Sequence, residues 1–561
     1  MNRNQLLARC ENRLKTIYKD EYKDSHMDKV TDLMNTWESR SWKQCEDLSE
    51  KNIYLITYGD SIYEEERPTL ETLHKFLLEN AKDEITDVHL LPMFEYTSDD
   101  GFSVVDYRKI DPALGNWDTI NHFAKDYRMM YDFVANHMSK SSSWFKGYLA
   151  GEDKYKGYFV PKDAKFDSGI VVRPRTSPLF HDYITPDGGS KSAWSTFSED
   201  QVDLNARDIS CLMDLTDVLL SYAYNGATSI RLDAIGFLWK ESGTGCMHLP
   251  ETHEIIKMWR DILDYFKRGV QIITETNVPH LENISYFGDT TDEAHQVYQF
   301  TLPPLTLFSF TTHNTEKLTK WAKGINRVSE TATFFNFLSS HDGIGMRPTE
   351  GILTEDEKNL LAEKTLRNGG KINYKSNPDG SQTPYELNIV YQDALINKEE
   401  DLTEESQVQK ILASHALLLS MVGVPAIYYH SLLGSRNDYE GQESSGINRR
   451  INREKLDYSI ISGEIKKDMR RSSIFEGTKE LIRIRQKEKA FSPYAPQNVL
   501  ELDNRVFALE RSNEEDKITF IVNMANEKVV LDTDITGKDI ISGMEYTGKI
   551  ELPAYGFVWV K

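Results

Sequence analysis

Residues 227–234, with the sequence ATSIRLDA, constrain the fold and chemistry of this chain more than any other stretch. Their apolar and β-branched side chains predict a strand, and the alternation of a strand puts Arg231 and Asp233 on one face. A neighbouring guanidinium keeps a carboxylate ionised. Asp233 is therefore suited to act as a nucleophile, although a lone Arg–Asp pair is also common as a purely structural contact.

Seven other apolar runs are also predicted to be strands. Three of them end in polar side chains: residues 129–137 (Asn136 and His137), 270–275 (Glu275) and 333–342 (His341 and Asp342). Four more are found at residues 52–58, 85–93, 296–300 and 424–429. Helical patterns separate the runs, so the strands should pair in parallel. Eight such units, four of them with polar residues at the C-terminal end of the strand, predict an α/β fold, the (β/α)8 TIM barrel.

The remaining segments predict further domains around a catalytic barrel formed by residues 51–137 and 209–489. Residues 1–50 carry two amphipathic stripes and predict an N-terminal helical extension that packs on the barrel. Residues 138–208 are too long for an ordinary loop and predict an inserted domain, domain B, after strand 3. Short strands separated by turns predict a C-terminal antiparallel β domain over residues 490–561.

The composition excludes some classes of binding partner. The formal net charge of −22 argues against nucleic acid or an anionic membrane surface as a partner. An anionic substrate must then meet a local cluster of Arg or Lys. The four Cys residues have no metal-type spacing and are expected to be reduced thiols. A start without a signal-peptide pattern, and the lack of a run of about 18 apolar residues, predict a cytoplasmic protein. The sequence leaves a homo-oligomer open.

The chemistry follows from three carboxylates at strand ends. Two carboxylates about 5 Å apart, one on each side of an acetal, are what retaining glycoside chemistry needs. Asp233 is the predicted nucleophile. Glu275 has no cation next to it in sequence, so it can carry the proton of a general acid and base. Asp342 is predicted to stabilise the oxocarbenium-like transition state. Each carboxylate alone could equally be a surface group; the ordered set indicates catalysis.

The same segments carry a family resemblance. Four motifs, DFVANH (132–137), SIRLDA (229–234), ITE (273–275) and LSSHD (338–342), resemble glycoside hydrolase family 13, the α-amylase family. Five longer stretches resemble its sucrose phosphorylase subfamily: LLPMFEYTSDDGFSVVDYR (90–108), IGFLWKESGTG (235–245), HDGIGMRP (341–348), TPYELN (383–388) and GSRND…INRRINRE (434–454). The resemblance covers roughly residues 52–490. It implies the barrel, its insert, the C-terminal domain and a double-displacement reaction.

The resemblance also implies roles for the binding residues. Those expected to hold the glucosyl unit are Arg231, His137 and His341; those expected to pair across the donor pocket are Asp99 and Arg453; those offering aromatic surfaces are Phe102 and Phe237. Arg175 matches the subfamily's mobile anion-binding Arg and would bind phosphate. Calcium is common in amylases, with the equivalent of Asn136 among its ligands, but sucrose phosphorylases do without it. We therefore predict no metal and no organic cofactor.

The substrates implied are a small sugar glycoside and inorganic phosphate, and the acceptor is the open question. The N-terminal extension and a long excursion at residues 343–395 resemble glucosylglycerate phosphorylases. This favours reversible conversion of 2-O-α-D-glucosyl-D-glycerate and phosphate to α-D-glucose 1-phosphate and D-glycerate. The glycerate carboxylate needs a cation, for which Arg347, Lys371 and Arg175 are unranked candidates. Phosphorolysis of sucrose or sucrose 6-phosphate is the first alternative.

Two alternatives belong to other classes of protein. A hydrolase or a glucan-branching enzyme could use the same three carboxylates. A non-catalytic, amylase-like partner of a transporter would lack one of these carboxylates and carry a membrane segment, and neither feature is found in this sequence.

Overall fold

Eight strands form a closed parallel barrel in the computed structural model, which describes residues 1–175, 177–376, 382–396 and 398–561. The strands are β1 (Tyr54–Thr57), β2 (Asp87–Leu90), β3 (Arg128–Phe133), β4 (Ala227–Leu232), β5 (Gln271–Thr274), β6 (Gln296–Tyr298), β7 (Thr333–Phe337) and β8 (Val424–Tyr428). Each strand lies between its neighbours in sequence, and β8 closes the ring on β1 with Tyr54 opposite Ala426. The predicted barrel is confirmed.

The barrel strands are apolar runs rather than alternating patterns because both of their faces are covered. Every residue of β1, β2, β5, β6, β7 and β8 is buried. Parallel strands buried on both sides need apolar side chains at successive positions. This is why the apolar runs were such clear signals in the sequence.

Two strands end before the polar residues that were expected at their C-terminal ends. The run at residues 129–137 was predicted as one strand, but β3 ends at Phe133 and the backbone turns, with the N–H of Ala135 donating to the carbonyl of Phe133 at 2.9 Å. His137–Ser139 is a separate strand, antiparallel to Gln201–Asp203 of the inserted segment. Likewise β7 ends at Phe337, which leaves His341 and Asp342 on the loop that follows it.

The chain divides into two compact units. The first comprises residues 1–47, 89–276 and 284–297, and the second comprises residues 48–88, 277–283 and 298–561. The helices of the first unit are Arg3–Tyr18, Asp24–Glu38, Trp117–Phe123, Ser143–Ala150, Ile209–Tyr224 and Pro250–Phe266. Its inserted segment also contains a hairpin of Phe180–Ile184 and Ser190–Trp194, with Leu179, Trp194 and Cys246 forming a small apolar cluster.

The second unit contains the remaining barrel helices and two additional groups of strands. Its helices are Thr69–Asn80, Leu302–Thr312, Glu316–Ala322, Glu355–Arg367, Tyr391–Leu395, Glu404–Ser420, Tyr429–Leu432, Tyr439–Ser445, Tyr458–Lys467 and Met469–Arg485, and a short helix, His280–Ile284, follows β5. The excursion at residues 343–395 forms a sheet of Ile344–Gly345, Gln382–Asn388 and Lys371–Ser376. The C-terminal strands are Gln497–Leu500, Val506–Ser512, Lys517–Asn523 and Phe557–Val560 in one sheet, and Val529–Lys538 with Glu545–Leu552 in another.

Over the described ranges, no helix has both the length and the apolar character that crossing a membrane requires. The four cysteines, Cys10, Cys45, Cys211 and Cys246, are free thiols.

Candidate active site

Asp233 and Glu275 lie side by side where β4 and β5 end. Leu232 is opposite Thr274 in the strand register, and the N–H of Glu275 donates to the carbonyl of Leu232 at 3.2 Å. The Glu275 carboxylate in turn accepts a 3.0 Å hydrogen bond from the N–H of Ala234. The two acidic side chains are therefore attached to adjacent positions of neighbouring strand ends.

Arg231 is a buried cation beside Asp233. Its Nη1 lies 2.9 Å from Oδ1 of Asp233, and its side chain is only 2 % exposed. The same guanidinium pairs with Asp132 of β3. One cation thus compensates two carboxylates in a region that water barely reaches, where charge interactions are stronger than in solvent.

Asp132 and His89 complete this buried group. His89 Nε2 lies 2.6 Å from Oδ2 of Asp132, and both side chains are fully buried. Burial alone would raise the pKa of Asp132, but Arg231 and His89 outweigh it and hold that pKa below its ordinary value. Burial lowers the pKa of His89. Asp132 is thus a permanent anion that fixes Arg231, and sequence reasoning missed His89 because nothing in its own strand marks it.

His137 is held at the rim of the barrel by the loop after β2. Its Nε2 donates to the carbonyl of Phe102 at 3.0 Å, and burial lowers its pKa. Gln201 of the inserted segment donates to the same carbonyl and to Oδ2 of Asp99, each at 3.2 Å. Asp99 is exposed and has a left-handed backbone (φ 54°), as does Asp100 (φ 49°). Strained backbone of this kind clusters at functional sites.

Aromatic rings surround this rim. The Arg231 guanidinium lies 5.8 Å from the ring centre of Phe102. Phe197 of the inserted segment lies between His137 (5.1 Å) and Phe237 (5.5 Å, edge to face). Sequence reasoning did not identify Phe197 or Gln201, since both come from the inserted segment and reach the rim only through the fold.

The position at which many amylases bind calcium holds an ammonium group in this chain. Lys240 Nζ donates to Oδ1 of Asn136 at 2.8 Å and lies 2.9 Å from Oδ2 of Asp203. Its side chain is 3 % exposed. Because the amide oxygen of Asn136 is already bonded to a buried cation, these residues do not fit a calcium ion. Elsewhere in the described part of the chain, no group of three or more His, Cys, Asp or Glu is arranged to hold a metal.

Asp342, His341 and Arg453 belong to the second unit. Asp342 Oδ1 lies 2.6 Å from Nη1 of Arg449 and 3.7 Å from Nη2 of Arg453. Arg453 also donates from Nε to the carbonyl of His341 at 2.8 Å. The His341 ring packs edge to face on Tyr58 at 5.9 Å.

Arg449 was missed as a separate residue, although it lies within the quoted INRRINRE run. It makes a two-pronged ion pair with the buried Glu386, from Nε at 2.8 Å and from Nη2 at 3.2 Å. Glu386 also accepts the N–H of Gly343 at 2.7 Å. The excursion therefore supplies a carboxylate that fixes the cation beside Asp342.

The cations proposed for anionic groups are found in different settings. Arg175 is half-buried in the inserted segment, next to Thr176, which lies outside the described residues. Arg347 lies 3.5 Å from Glu282, and Lys371 is exposed at the start of its strand. The contacts of these residues do not rank them as ligands for a glycerate carboxylate.

The family profile of the alpha amylase catalytic domain matches residues 82–363. The chain belongs to the α-amylase family. Among its relatives within this family, it is 44 % identical to the glucosylglycerate phosphorylase of Allomeiothermus silvanus, over 91 % of each chain. It is 40 % identical to that of Escherichia coli, over 98 % of this chain and 99 % of the relative.

A solved structure has a similar fold. The sucrose 6F-phosphate phosphorylase from Thermoanaerobacter thermosaccharolyticum superposes with a TM-score of 0.73 at 22 % identity. The match covers 90 % of this chain and 98 % of that structure. At this identity the likeness shows the barrel architecture with its additions, and it carries no further information about substrate.

Proposed function

We propose that this protein is a glucosylglycerate phosphorylase, which converts 2-O-α-D-glucosyl-D-glycerate and phosphate to α-D-glucose 1-phosphate and D-glycerate. One observation carries the assignment: similarity to two glucosylglycerate phosphorylases extends over nearly the whole chain, at 40 % and 44 % identity. Because the match covers 98 % of the chain, it includes most of the N-terminal region and of the excursion at residues 343–395.

The first half-reaction is assigned to Asp233 and Glu275. An oxygen of Asp233 forms a bond to C1 of the glucosyl unit while the bond from C1 to O2 of glycerate breaks. Glu275 gives its proton to the departing oxygen. Support comes from the position of the two carboxylates at the ends of neighbouring strands, because retaining enzymes need two carboxylates close together, at about 5 Å. Arg231 holds Oδ1 of Asp233, so we assign the attack to Oδ2.

In the second half-reaction a phosphate oxygen attacks C1 of the glucosyl-enzyme from the opposite face. The C1–Asp233 bond breaks, and the proton on the attacking phosphate oxygen passes to Glu275. Two inversions restore the α configuration, which is why the product is α-D-glucose 1-phosphate. Because the chain has a formal charge of −22, phosphate needs a local cation, and we assign this role to Arg175.

The remaining residues are assigned to binding. We propose that Asp342 stabilises positive charge at C1, with Arg449 fixing its carboxylate at 2.6 Å. His137, Arg231 and His341 would hold the glucosyl hydroxyls, Asp99 and Arg453 the far hydroxyls, and Phe102 and Phe237 the apolar face of the ring. We propose that the protein works in the cytoplasm. Inorganic phosphate and the phosphorylated product are charged, so a membrane retains both of them there.

The decisive experiment measures glucose 1-phosphate formed from 2-O-α-D-glucosyl-D-glycerate with and without phosphate. We expect phosphate-dependent formation of glucose 1-phosphate, and release of free glucose alone would overturn the assignment in favour of a hydrolase. In the reverse direction, phosphate release from glucose 1-phosphate is followed with D-glycerate, fructose, fructose 6-phosphate and glycerol as acceptors. An inert D-glycerate beside a reactive fructose would show that the acceptor is wrong. The Asp233→Asn variant serves as the catalytically dead control.

A further inference from the structure

The N-terminal extension is joined to the rest of the first unit by charged contacts as well as apolar ones. Helix Arg3–Tyr18 packs on Pro250–Phe266, where Arg13 lies 2.9 Å from Glu254. Helix Asp24–Glu38 packs on Ile209–Tyr224. Both partner helices follow barrel strands that end in site residues, so the extension lies on the part of the barrel that presents Asp233.

The contact that matters is made by the last residue of the first helix. Tyr18 is buried, its hydroxyl donates to the carbonyl of Ala206 at 3.2 Å, and its ring lies edge to face on Trp239, with centroids 6.0 Å apart. Three residues further on, Glu21 accepts two hydrogen bonds from Arg207, at 3.0 and 2.7 Å. The end of this helix therefore contacts two separate segments, one around residues 206–207 and one at Trp239.

Those two segments carry the buried ion pair described above. Trp239 immediately precedes Lys240, and Ala206 follows Asp203 by three residues. Asp203 is fully buried and accepts from Lys240, from Asn136 Nδ2 at 3.0 Å, and from the N–H and hydroxyl of Thr196 at 2.7 and 2.6 Å. Its Oδ1 accepts from the backbone of Thr196, while its Oδ2 is shared by the Thr196 hydroxyl, Asn136 and Lys240.

The ion pair leads directly to a proposed glucosyl-binding residue. Asn136 precedes His137, and His137 lies opposite Asp203 in the antiparallel pairing of His137–Ser139 with Gln201–Asp203. A shift of Asp203 or Lys240 would therefore move the backbone of His137. A displacement of about 1 Å at a substrate-positioning residue can cost up to about a hundredfold in rate.

We propose that the N-terminal extension is a positioning element of the active site, with Tyr18 and Glu21 holding the segments that carry Asp203 and Lys240, and these in turn holding Asn136 and His137. The physical reason is water exclusion. The attraction within an ion pair is stronger where water is excluded, and the Tyr18 ring covers Trp239 next to Lys240. The inference rests on the proposed function through the role given to His137.

The test compares Tyr18→Ala with a matched variant of the same helix, Leu6→Ala, in the full chain. Leu6 is fully buried and lies twelve residues before Tyr18, about 18 Å along the helix, so it has no contact with Trp239. Both substitutions remove buried apolar surface and should lower the melting temperature. We expect Tyr18→Ala alone to raise the KM for glucose 1-phosphate by about tenfold, with a smaller change in kcat. Tyr18→Phe, which keeps the ring, should have a KM for glucose 1-phosphate close to that of the wild type.

Hydrogen–deuterium exchange gives a readout that needs no substrate. In Tyr18→Ala we expect faster exchange of amides in residues 136–139 and 201–206, and in Leu6→Ala we expect wild-type exchange there. Equal KM values and equal exchange in the two variants would overturn the inference and leave the extension as a stabilising element only. If Tyr18→Ala does not fold, Tyr18→Leu takes its place in the same comparison. A wild-type protein without phosphorylase activity would refute the proposed function, while the exchange result would still decide the inference.

Discussion

The carboxylate of Glu275 accepts a 3.0 Å hydrogen bond from the backbone N–H of Ala234, the residue that follows Asp233. The proposed proton donor is thus attached to the main chain beside the proposed nucleophile. Its distance from Asp233 depends on the register of β4 and β5, which many backbone hydrogen bonds fix, rather than on a flexible side-chain contact.

Asp233→Asn should abolish transfer while the protein stays folded. An amide cannot form the covalent ester, and the loss should reach at least about 10⁴-fold in kcat. The buried pair of Arg231 and Asp132 remains in place, so the melting temperature should change little. Turnover of glucosylglycerate and thermal melting are measured together, and near-normal turnover would remove Asp233 from the role of nucleophile.

Glu275→Gln should affect donors according to their leaving groups. The amide oxygen of Gln can still accept the N–H of Ala234, so the geometry is preserved while the proton is lost. Glucosylglycerate, whose leaving alkoxide needs protonation, should react about 10²–10⁴-fold more slowly. An activated donor such as an aryl α-glucoside should form the glucosyl-enzyme at a nearly normal rate. Equal losses for both donors would argue against Glu275 as the general acid.

Arg449→Lys should lower kcat more than it changes KM. Lysine keeps the positive charge but cannot make the two-pronged contact with Glu386 while also reaching Asp342. We expect a drop in kcat of about tenfold, because the role proposed for Asp342 is to stabilise the transition state. Steady-state kinetics in the synthesis direction would measure it. A wild-type kcat would mean that Asp342 keeps its position without this support.

Lys240→Met should destabilise the fold strongly. The substitution leaves Asp203 as a buried anion that has lost its cation, and breaking a buried pair in this way costs about 3–5 kcal/mol. Urea denaturation measures the loss. Lys156→Met, which removes a solvent-exposed partner of Asp153, is the control and should change stability little. Adding Asp203→Asn to Lys240→Met should recover part of the stability, and additive losses would contradict the pairing.

The pH dependence of stability should contain a contribution from Glu293. Burial raises the pKa of Glu293 to about 7, although the adjacent His253 opposes the shift. Because the folded pKa lies above the unfolded value of about 4.3, this group favours the folded state below pH 4.3, and the benefit is lost as pH rises to 7. Relative to Glu293→Gln, the wild type should lose about 3 kcal/mol over that interval. Urea denaturation at several pH values measures it, and parallel profiles would contradict the shift.

Much of the fold could be predicted from the sequence because the barrel strands are apolar on both faces. Such runs stand out in the sequence, and the polar residues at the C-terminal ends of four of them indicate the functional side of the barrel. The helical patterns that separate the strands were also visible in the sequence, and Ile209–Tyr224 is one of the helices found between them. The predicted end of β3 was wrong. Asn136 and His137 continue the strand pattern in the sequence, but in the structure His137 pairs with the inserted segment.

The supporting residues could not be predicted because their signal is not local. Lys240 meets Asn136 across 104 positions of the chain, and Arg449 meets Glu386 across 63. A lysine after a tryptophan, or an arginine within a basic run, looks like an ordinary surface residue in sequence. Only the fold shows that Lys240 lies beside Asn136 and Asp203, and that Arg449 lies beside Asp342. It also shows that the N-terminal helix contacts the segments that carry Lys240 and Asp203.

The ammonium group of Lys240 has a consequence for the conditions in which this protein works. A cation carried by a side chain arrives with the polypeptide itself and stays at a fixed stoichiometry of one. Chelating agents and dilution cannot remove it, and a shortage of divalent ions does not weaken it. The segment around Asn136 is therefore ordered by Lys240 when the chain folds, and the contact between Lys240 and Asn136 does not depend on the concentration of divalent ions.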